Sequence, residues 1–284
     1  MPRLSGQTRL AAVIGSPVRH SLSPALHNAA FEACGLDWMY LAFDVAPGHA
    51  PDALTGMRAL GIEGLSVTMP HKTDVAATVD LCTPAASRLQ AVNAVLRRSD
   101  GRLEGHNTDG DGFVASLREA GADPAGRRVA LLGAGGAGRA LALALAGAGA
   151  ADVAVVNRSP HPAETAAGLA FPVGRVGTAA DVHAADLVVN ATPVGMGDGA
   201  RVLPVDPSLL HAGQVVADIV MHPLDTALLR AARAAGATTV DGLGMLVHQA
   251  ALAFTLWTER EAPVAAMRAA AQRELAERDE LAGH

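Results

Sequence analysis

Apolar positions along this chain come as short runs that end on glycine or proline. Between them lie stretches with apolar residues every three or four positions. Short bounded runs read as buried strands, and the three-to-four spacing reads as helix. Residues 10–14 form the first run, closed by Gly15. Residues 24–34 have helical spacing, with Pro24 in the first turn and Gly35 as a stop. A strand over 38–45, a helix over 51–60 ended by Gly61, and a strand over 62–69 closed by Pro70 follow. Residues 91–98 and 102–105 flank Ser99-Asp100-Gly101, a hairpin signal. Residues 108–120 then read as a helix leading into the Gly/Pro-rich stretch 121–126.

The same alternation starts again at Arg128, with strands over 129–132, 152–157, 186–190, 214–220 and 238–240 and helices in the gaps. Strands alternating with helices predict parallel sheets in an α/β fold. A long apolar helix over 243–259 and a more polar one over 263–278 close the chain. The pattern predicts two α/β domains, the first running to about residue 105 and the second over about 106–243. The local pattern lets the final helices pack on either.

Composition narrows the function classes. Half of the 284 residues are hydrophobic, enough for a sizeable core. The formal net charge of −6 gives no reason to expect nucleic acid or an anionic membrane as a partner. Cys34 and Cys82 are too few for a disulfide framework or a cysteine-rich zinc site, and both are expected to be buried small hydrophobes. His27, His71 and His106 lack metal-ligand spacing with Cys or acid partners, so no metal is expected. The first ten residues lack the apolar stretch of a signal peptide, and the most apolar segment, 139–149, is too short to span a bilayer. These features fit a cytoplasmic protein.

The clearest chemical signal begins at Val129. A strand leads into Gly133-Ala134-Gly135-Gly136-Ala137-Gly138-Arg139, in which Gly133, Gly135 and Gly138 match G-x-G-x-x-G. Glycines let the backbone turn tightly and approach a pyrophosphate, and the helix that follows offers free N–H groups to the phosphates. The next strand ends at Asn157-Arg158-Ser159. A site for NAD usually carries Asp or Glu near here to bind the ribose 2′-hydroxyl. Arg158 instead suits a 2′-phosphate, with Asn157 and Ser159 as further donors, which selects NADP.

Three polar clusters sit at strand-to-helix junctions of the first half. Ser21 and Ser23, two residues apart before Pro24, either cap the helix or hold one carboxylate. Lys72 follows Ser66-Val67-Thr68-Met69-Pro70-His71 at a sheet edge, where open α/β sheets bind ligands. Asp109 opens a helix after Gly105-His106-Asn107-Thr108, and it reads either as a first-turn acid or as a site residue.

Taken in order, HSLSP, VTMPHK, AVNAV, GHNTDG, GAGGAGR, NRS, NATPVGM and DGLGMLVHQA resemble the shikimate dehydrogenase family over about Val13 to Trp257. The resemblance implies an N-terminal substrate-binding domain, completed by the C-terminal helices 244–284. It also implies a Rossmann NADP-binding domain over 106–243, facing the first across a cleft. The implied reaction is NADP-dependent, reversible reduction of 3-dehydroshikimate to shikimate, a step of the shikimate pathway to chorismate and the aromatic amino acids. Ser21 and Ser23 would hold the substrate carboxylate, and Thr68, Lys72, Asn93, Asp109 and Gln249 would contact its hydroxyls. Lys72 and Asp109 would be the proton-handling pair. Gly133, Ala134, Gly135, Gly136, Ala137, Asn157, Arg158 and Ser159 would hold the cofactor, with Thr192, Ile219 and Gly242 near its nicotinamide half. Members of the family are monomers or homodimers.

The chain departs from the family pattern after residue 218. Where members commonly carry D-x-x-Tyr, this sequence reads Asp218-Ile219-Val220-Met221, and methionine cannot donate the tyrosine's hydrogen bond. Gly138 stands where many members have Ser. The first departure keeps open a quinate or quinate/shikimate dehydrogenase, or a paralogue acting on a modified substrate. A non-catalytic sensor is the alternative from another class, and retention of Lys72 and Asp109 argues against it.

Overall fold

The computed structural model describes residues 4–197 and 201–282. The chain divides into two compact units, one of residues 1–108 with 249–284 and the other of 109–248.

The first unit contains β1 (Arg9–Gly15), α1 (Ser23–Ala33), β2 (Trp38–Asp44), α2 (Ala50–Leu60), β3 (Gly64–Val67), α3 (Lys72–Thr78), β4 (Leu81–Cys82), α4 (Pro84–Leu89), β5 (Ala94–Arg97) and β6 (Leu103–His106). Its six-stranded sheet has the order β2-β1-β3-β5-β6-β4. β1 pairs in parallel with β2 and β3, while β5 runs antiparallel to both β3 and β6. The sheet is therefore mixed, not parallel as the alternation alone predicts, because the Ser99-Asp100-Gly101 turn makes β5 and β6 a hairpin. One core gathers Ala12, Ile14, Leu54, Met57, Leu65 and Val67. An aromatic cluster also forms: the His27 ring stacks on Tyr40 with centroids 4.3 Å apart, and Phe31 meets Trp38 and Phe254.

Burial of His27 in that cluster predicts that the unit loses stability in acid. His27 is 1% exposed, and burial lowers its pKa from 6.5 to about 3. The unfolded chain binds this proton first, so the His27 contribution is complete above pH 6.5 and fades as pH falls toward 3. At pH 5 the loss amounts to ~2 kcal/mol. Urea titration at pH 7.5 and pH 5 should show a drop in unfolding free energy that shrinks in His27→Leu. A drop of equal size in the variant would assign the acid sensitivity elsewhere.

The second unit contains α5 (Asp109–Glu119), β7 (Arg128–Leu132), α6 (Gly136–Gly147), β8 (Asp152–Val156), α7 (Pro160–Leu169), β9 (Gly174–Val176), α8 (Ala179–Ala184), β10 (Leu187–Asn190), β11 (Val215–Asp218), α9 (Ala227–Ala234) and β12 (Thr238–Val240). Its strands are all parallel in the order β12-β11-β10-β7-β8-β9, the doubly wound arrangement. The order reverses between β7 and β10, so the carboxyl ends of those two strands form the switch point where such sheets bind ligands. Ala/Val/Leu side chains fill both faces, as buried parallel strands require.

The last helices are α10 (Gly242–Thr258) and α11 (Val264–Ala282). The second break falls inside α10, after His248, where the pattern put it near 243. The start of α10 is tied to α5 by His248 Nε2 and Glu119 Oε2 at 2.9 Å. Further along, the Trp257 indole N–H donates to the Val95 carbonyl at 3.0 Å, inside the first unit. Helix α11 packs on α1, and Arg278 donates to the His20 carbonyl at 2.7 Å.

Two edge strands escaped the pattern. β4 has two residues and β9 has three, too short to show a period. Cys34 and Cys82 are partly exposed, not buried as expected: Cys34 caps α1, and Cys82 lies on the edge strand β4.

Candidate active site

Chain reversals after β1 and β3 place the polar residues of the first unit. The Ser21 hydroxyl accepts the Ser23 N–H at 3.2 Å, while the N-cap of α1 is Leu22 with no side-chain cap bond. Neither serine is therefore the helix cap. Ser23 is buried beside the Tyr40 phenol. Burial raises the pKa of that phenol, and the Ser66 and Ser23 hydroxyls pull it the other way. β3 stops at Val67, short of the expected residue 69, because the His71 N–H turns back to the Thr68 carbonyl at 3.0 Å. The Thr68 N–H is held by Ile14 O at 2.9 Å, and the buried His71 ring donates from Nε2 to Val45 O at 2.8 Å. Lys72 then opens α3, partly exposed, with its carbonyl accepting the Val92 N–H at 3.0 Å.

Asn93 and Thr108 lock together. The Thr108 N–H donates to Asn93 Oδ1 at 2.8 Å, and Asn93 Nδ2 donates to the Thr108 hydroxyl at 3.0 Å. That hydroxyl in turn donates to the Gln249 carbonyl at 3.1 Å. The bonds fix the Asn93 amide plane and anchor the backbone at Gln249. Asp109, 8% exposed, is the first residue of α5 and belongs to the second unit, while Lys72 belongs to the first.

In the second unit the glycine turn sits at the switch point. The Gly133 N–H donates to Val156 O at 2.9 Å, and its φ of +100° suits only glycine. A Cβ there would fall 2.8 Å from Thr192 Cγ2, so the turn lies against the loop that follows β10. A Cβ at Gly138 would come within 2.2 Å of the Gly133 carbonyl oxygen. Glycine thus lets the start of α6 approach the turn more closely than a serine would allow. Gly135 caps α6, whose first N–H groups lack intrahelical partners, as at any helix start. At the end of β8, Asn157 Nδ2 donates to the Ser159 carbonyl at 2.9 Å, and Arg158 and Ser159 are exposed. No carboxylate among the described residues pairs with the Arg158 guanidinium. A tight glycine turn at a helix start, followed by an unneutralised arginine one strand away, fits a dinucleotide with a 2′-phosphate.

A buried polar network at the ends of β10 and β11 joins residues of two motifs that the sequence shows only separately. Asp218, 1% exposed, accepts hydrogen bonds from Thr226 Oγ1 at 2.8 Å, Asn190 Nδ2 at 3.0 Å and the Val220 N–H at 3.1 Å. Burial raises its pKa, against the pull of those three donors. Asn190 Oδ1 accepts from the Thr192 hydroxyl at 2.6 Å and from its N–H at 3.1 Å. The sequence signals are the NATPVGM and D-x-x-Tyr-like motifs that begin at Asn190 and Asp218, and two strands of buried Val and Ala that end on these polar residues.

The chain matches the family model described as shikimate dehydrogenase substrate binding domain over residues 13–95, and that of the shikimate 5'-dehydrogenase C-terminal domain over 242–272. A model described as NADP oxidoreductase, coenzyme F420-dependent, matches residues 128–221. The NADP-dependent shikimate dehydrogenase of Moorella thermoacetica is 48% identical over 277 residues, covering 94% of both chains. The chain belongs to the shikimate dehydrogenase family. A second relative of that name, from Symbiobacterium thermophilum, is 49% identical over 281 residues, again covering 94% of both chains. Among solved structures, shikimate 5-dehydrogenase of Thermus thermophilus, in complex with NADP(H) and shikimate, superposes with a TM-score of 0.88 at 39% identity. That match covers 94% of this chain and 99% of the other. Among the described residues no helix is long and apolar enough to cross a membrane.

Proposed function

We propose that this chain is an NADP-dependent shikimate dehydrogenase that reversibly reduces 3-dehydroshikimate to shikimate in the cytoplasm. The observation that carries the reading is the relatedness of the chain to enzymes of that name over 94% of its length, with the family motifs sited where strands and helices begin or end.

Gly133 to Ala137 and the start of α6 hold the pyrophosphate with backbone N–H groups. Arg158, with Asn157 and Ser159, takes the 2′-phosphate. Thr192, Ile219 and Gly242 flank the nicotinamide half. Bound NADPH supplies the hydride. Ser21 and Ser23 hold the substrate carboxylate with their hydroxyls. Thr68, Asn93 and Gln249 hold its ring hydroxyls, and the Asn93–Thr108 bonds orient the amide beforehand. As the ketone oxygen gains negative charge it needs a proton, which the Lys72 ammonium donates from Nζ and recovers in the oxidation direction. Asp109 accepts a hydrogen bond from the same substrate hydroxyl.

Met221 favours one specific alternative, because a missing donor weakens discrimination against quinate, which carries one more hydroxyl. A lost neutral hydrogen bond costs about 0.5–1.5 kcal/mol, roughly three- to tenfold in affinity or rate. Initial rates of nicotinamide reduction with shikimate or quinate, each with NADP or NAD, decide the matter. The shikimate/NADP pair should dominate. A dominant quinate rate would move the substrate assignment and leave the Lys72 and Asp109 roles in place. Cofactor binding without turnover in any pair would favour the sensor.

A further inference from the structure

The network around Asp218 joins the two loops that the proposed function puts beside the nicotinamide. Asn190 ends β10 and Asp218 ends β11, adjacent strands in register at those residues. The Asp218 carboxylate collects three donors from three segments: Asn190 on β10, Val220 in the turn after β11, and Thr226 ahead of α9. Asn190 passes the restraint on to Thr192, which bonds its Oδ1 through both N–H and hydroxyl. Thr192 packs at the Gly133 turn, where a Cβ would meet its Cγ2 at 2.8 Å. On the other side a Cβ at Gly242 would lie 2.6 Å from Val220 O and 2.9 Å from Ile219 O. The backbone carrying Ile219 is thus held from below by Asp218 and from the side by Gly242.

A buried carboxylate is an expensive way to hold a loop if packing alone would suffice. Three donors converging on Asp218 satisfy its oxygens and set two loops relative to each other, which apolar side chains do with less directionality. We propose that Asp218 is a positioning residue for the nicotinamide half of NADP, acting through Asn190–Thr192 and through the Val220 turn without touching the cofactor. The inference rests on the NADP reading above and adds a residue to it.

The test separates the two halves of the cofactor. Adenosine 2′,5′-bisphosphate carries the adenosine, the 2′-phosphate and one phosphate of the bridge but no nicotinamide, so it engages the Arg158 side and the glycine turn and leaves the nicotinamide half empty. In Asp218→Ala the dissociation constant for NADP should rise about tenfold, from the loss of several hydrogen bonds at a buried group. That for the bisphosphate should stay within about twofold, because Arg158 contacts do not depend on the lost bonds. Asp218→Asn retains an oxygen for Asn190 and Val220 but sets an NH2 group against the Thr226 hydroxyl, which already accepts the Leu229 N–H at 3.2 Å. That variant should lie between wild type and Asp218→Ala, with NADP affinity reduced about threefold. It also keeps the test decisive if Asp218→Ala does not fold. Equal weakening of both ligands, or no change in either, would overturn the proposal. A wild-type protein that binds NADP but does not turn over shikimate refutes the proposed reaction, and the comparison of the two affinities still reads the role of Asp218.

Discussion

Lys72→Ala lowers the turnover number at least about a hundredfold in both directions, the usual range for loss of a positioned general acid–base. The NADP dissociation constant stays within about twofold, because the lysine acts on the substrate oxygen and not on the nucleotide. Local structure favours this split. The Lys72 backbone is held by the Val92 N–H on its carbonyl, so removing the side chain leaves that anchor intact. Lys72→Arg sharpens the reading. Arginine keeps the positive charge but does not give up a proton near neutral pH. If Lys72 served only as a fixed charge, the arginine variant would recover much of the rate; as a proton donor it should remain nearly as slow as the alanine variant. Wild-type turnover in Lys72→Ala, measured under saturating substrates, would refute the assignment.

Arg158→Ala raises the Michaelis constant for NADP about tenfold or more, the cost of one or two charge-assisted hydrogen bonds. The constant for NAD changes by less than about twofold, since a ribose hydroxyl carries no charge for the guanidinium to meet. The prediction draws on an exposed arginine at the end of β8 without a carboxylate partner among the described residues. An arginine engaged in a structural ion pair would behave otherwise: its loss would lower stability and affect both cofactors alike. Parallel steady-state titrations with the two nucleotides separate these outcomes, and an equal effect on both would remove Arg158 from the 2′-phosphate site. The preference also weakens with added salt if the contact is as exposed as the structure has it.

The two units differ in how much of them periodicity alone revealed. The second unit was readable because each of its longer strands is a run of small apolar residues ended by glycine or a polar residue, and parallel strands buried on both faces produce that pattern. The first unit carried the same alternation but a different sheet. Its hairpin at 99–101 was visible, yet the resulting order, with β5 between β3 and β6, came only from the pairing. Ser21 and Ser23 show the limit of local rules. Their position before Pro24 suggested a cap, and the structure puts the cap at Leu22 and turns the Ser21 hydroxyl onto the Ser23 N–H.

Legible from neighbouring residues were the α/β class, the glycine turn with its strand and helix, and an arginine in place of a carboxylate at the end of β8; the polar substrate residues came from the resemblance to the family. The first three depend on residues close together along the chain, where the steric and hydrogen-bonding rules are local. The tertiary structure decided what depends on distant residues meeting. It set the mixed order of the first sheet and carried α10 from the second unit into the first. It also brought Asn190, Asp218 and Thr226 together across 36 positions into one buried network. No spacing rule reveals such a network, because its members share neither a helix face nor a strand. Only the register of β10 against β11 brings their polar ends side by side, and burial then obliges each of them to find a partner.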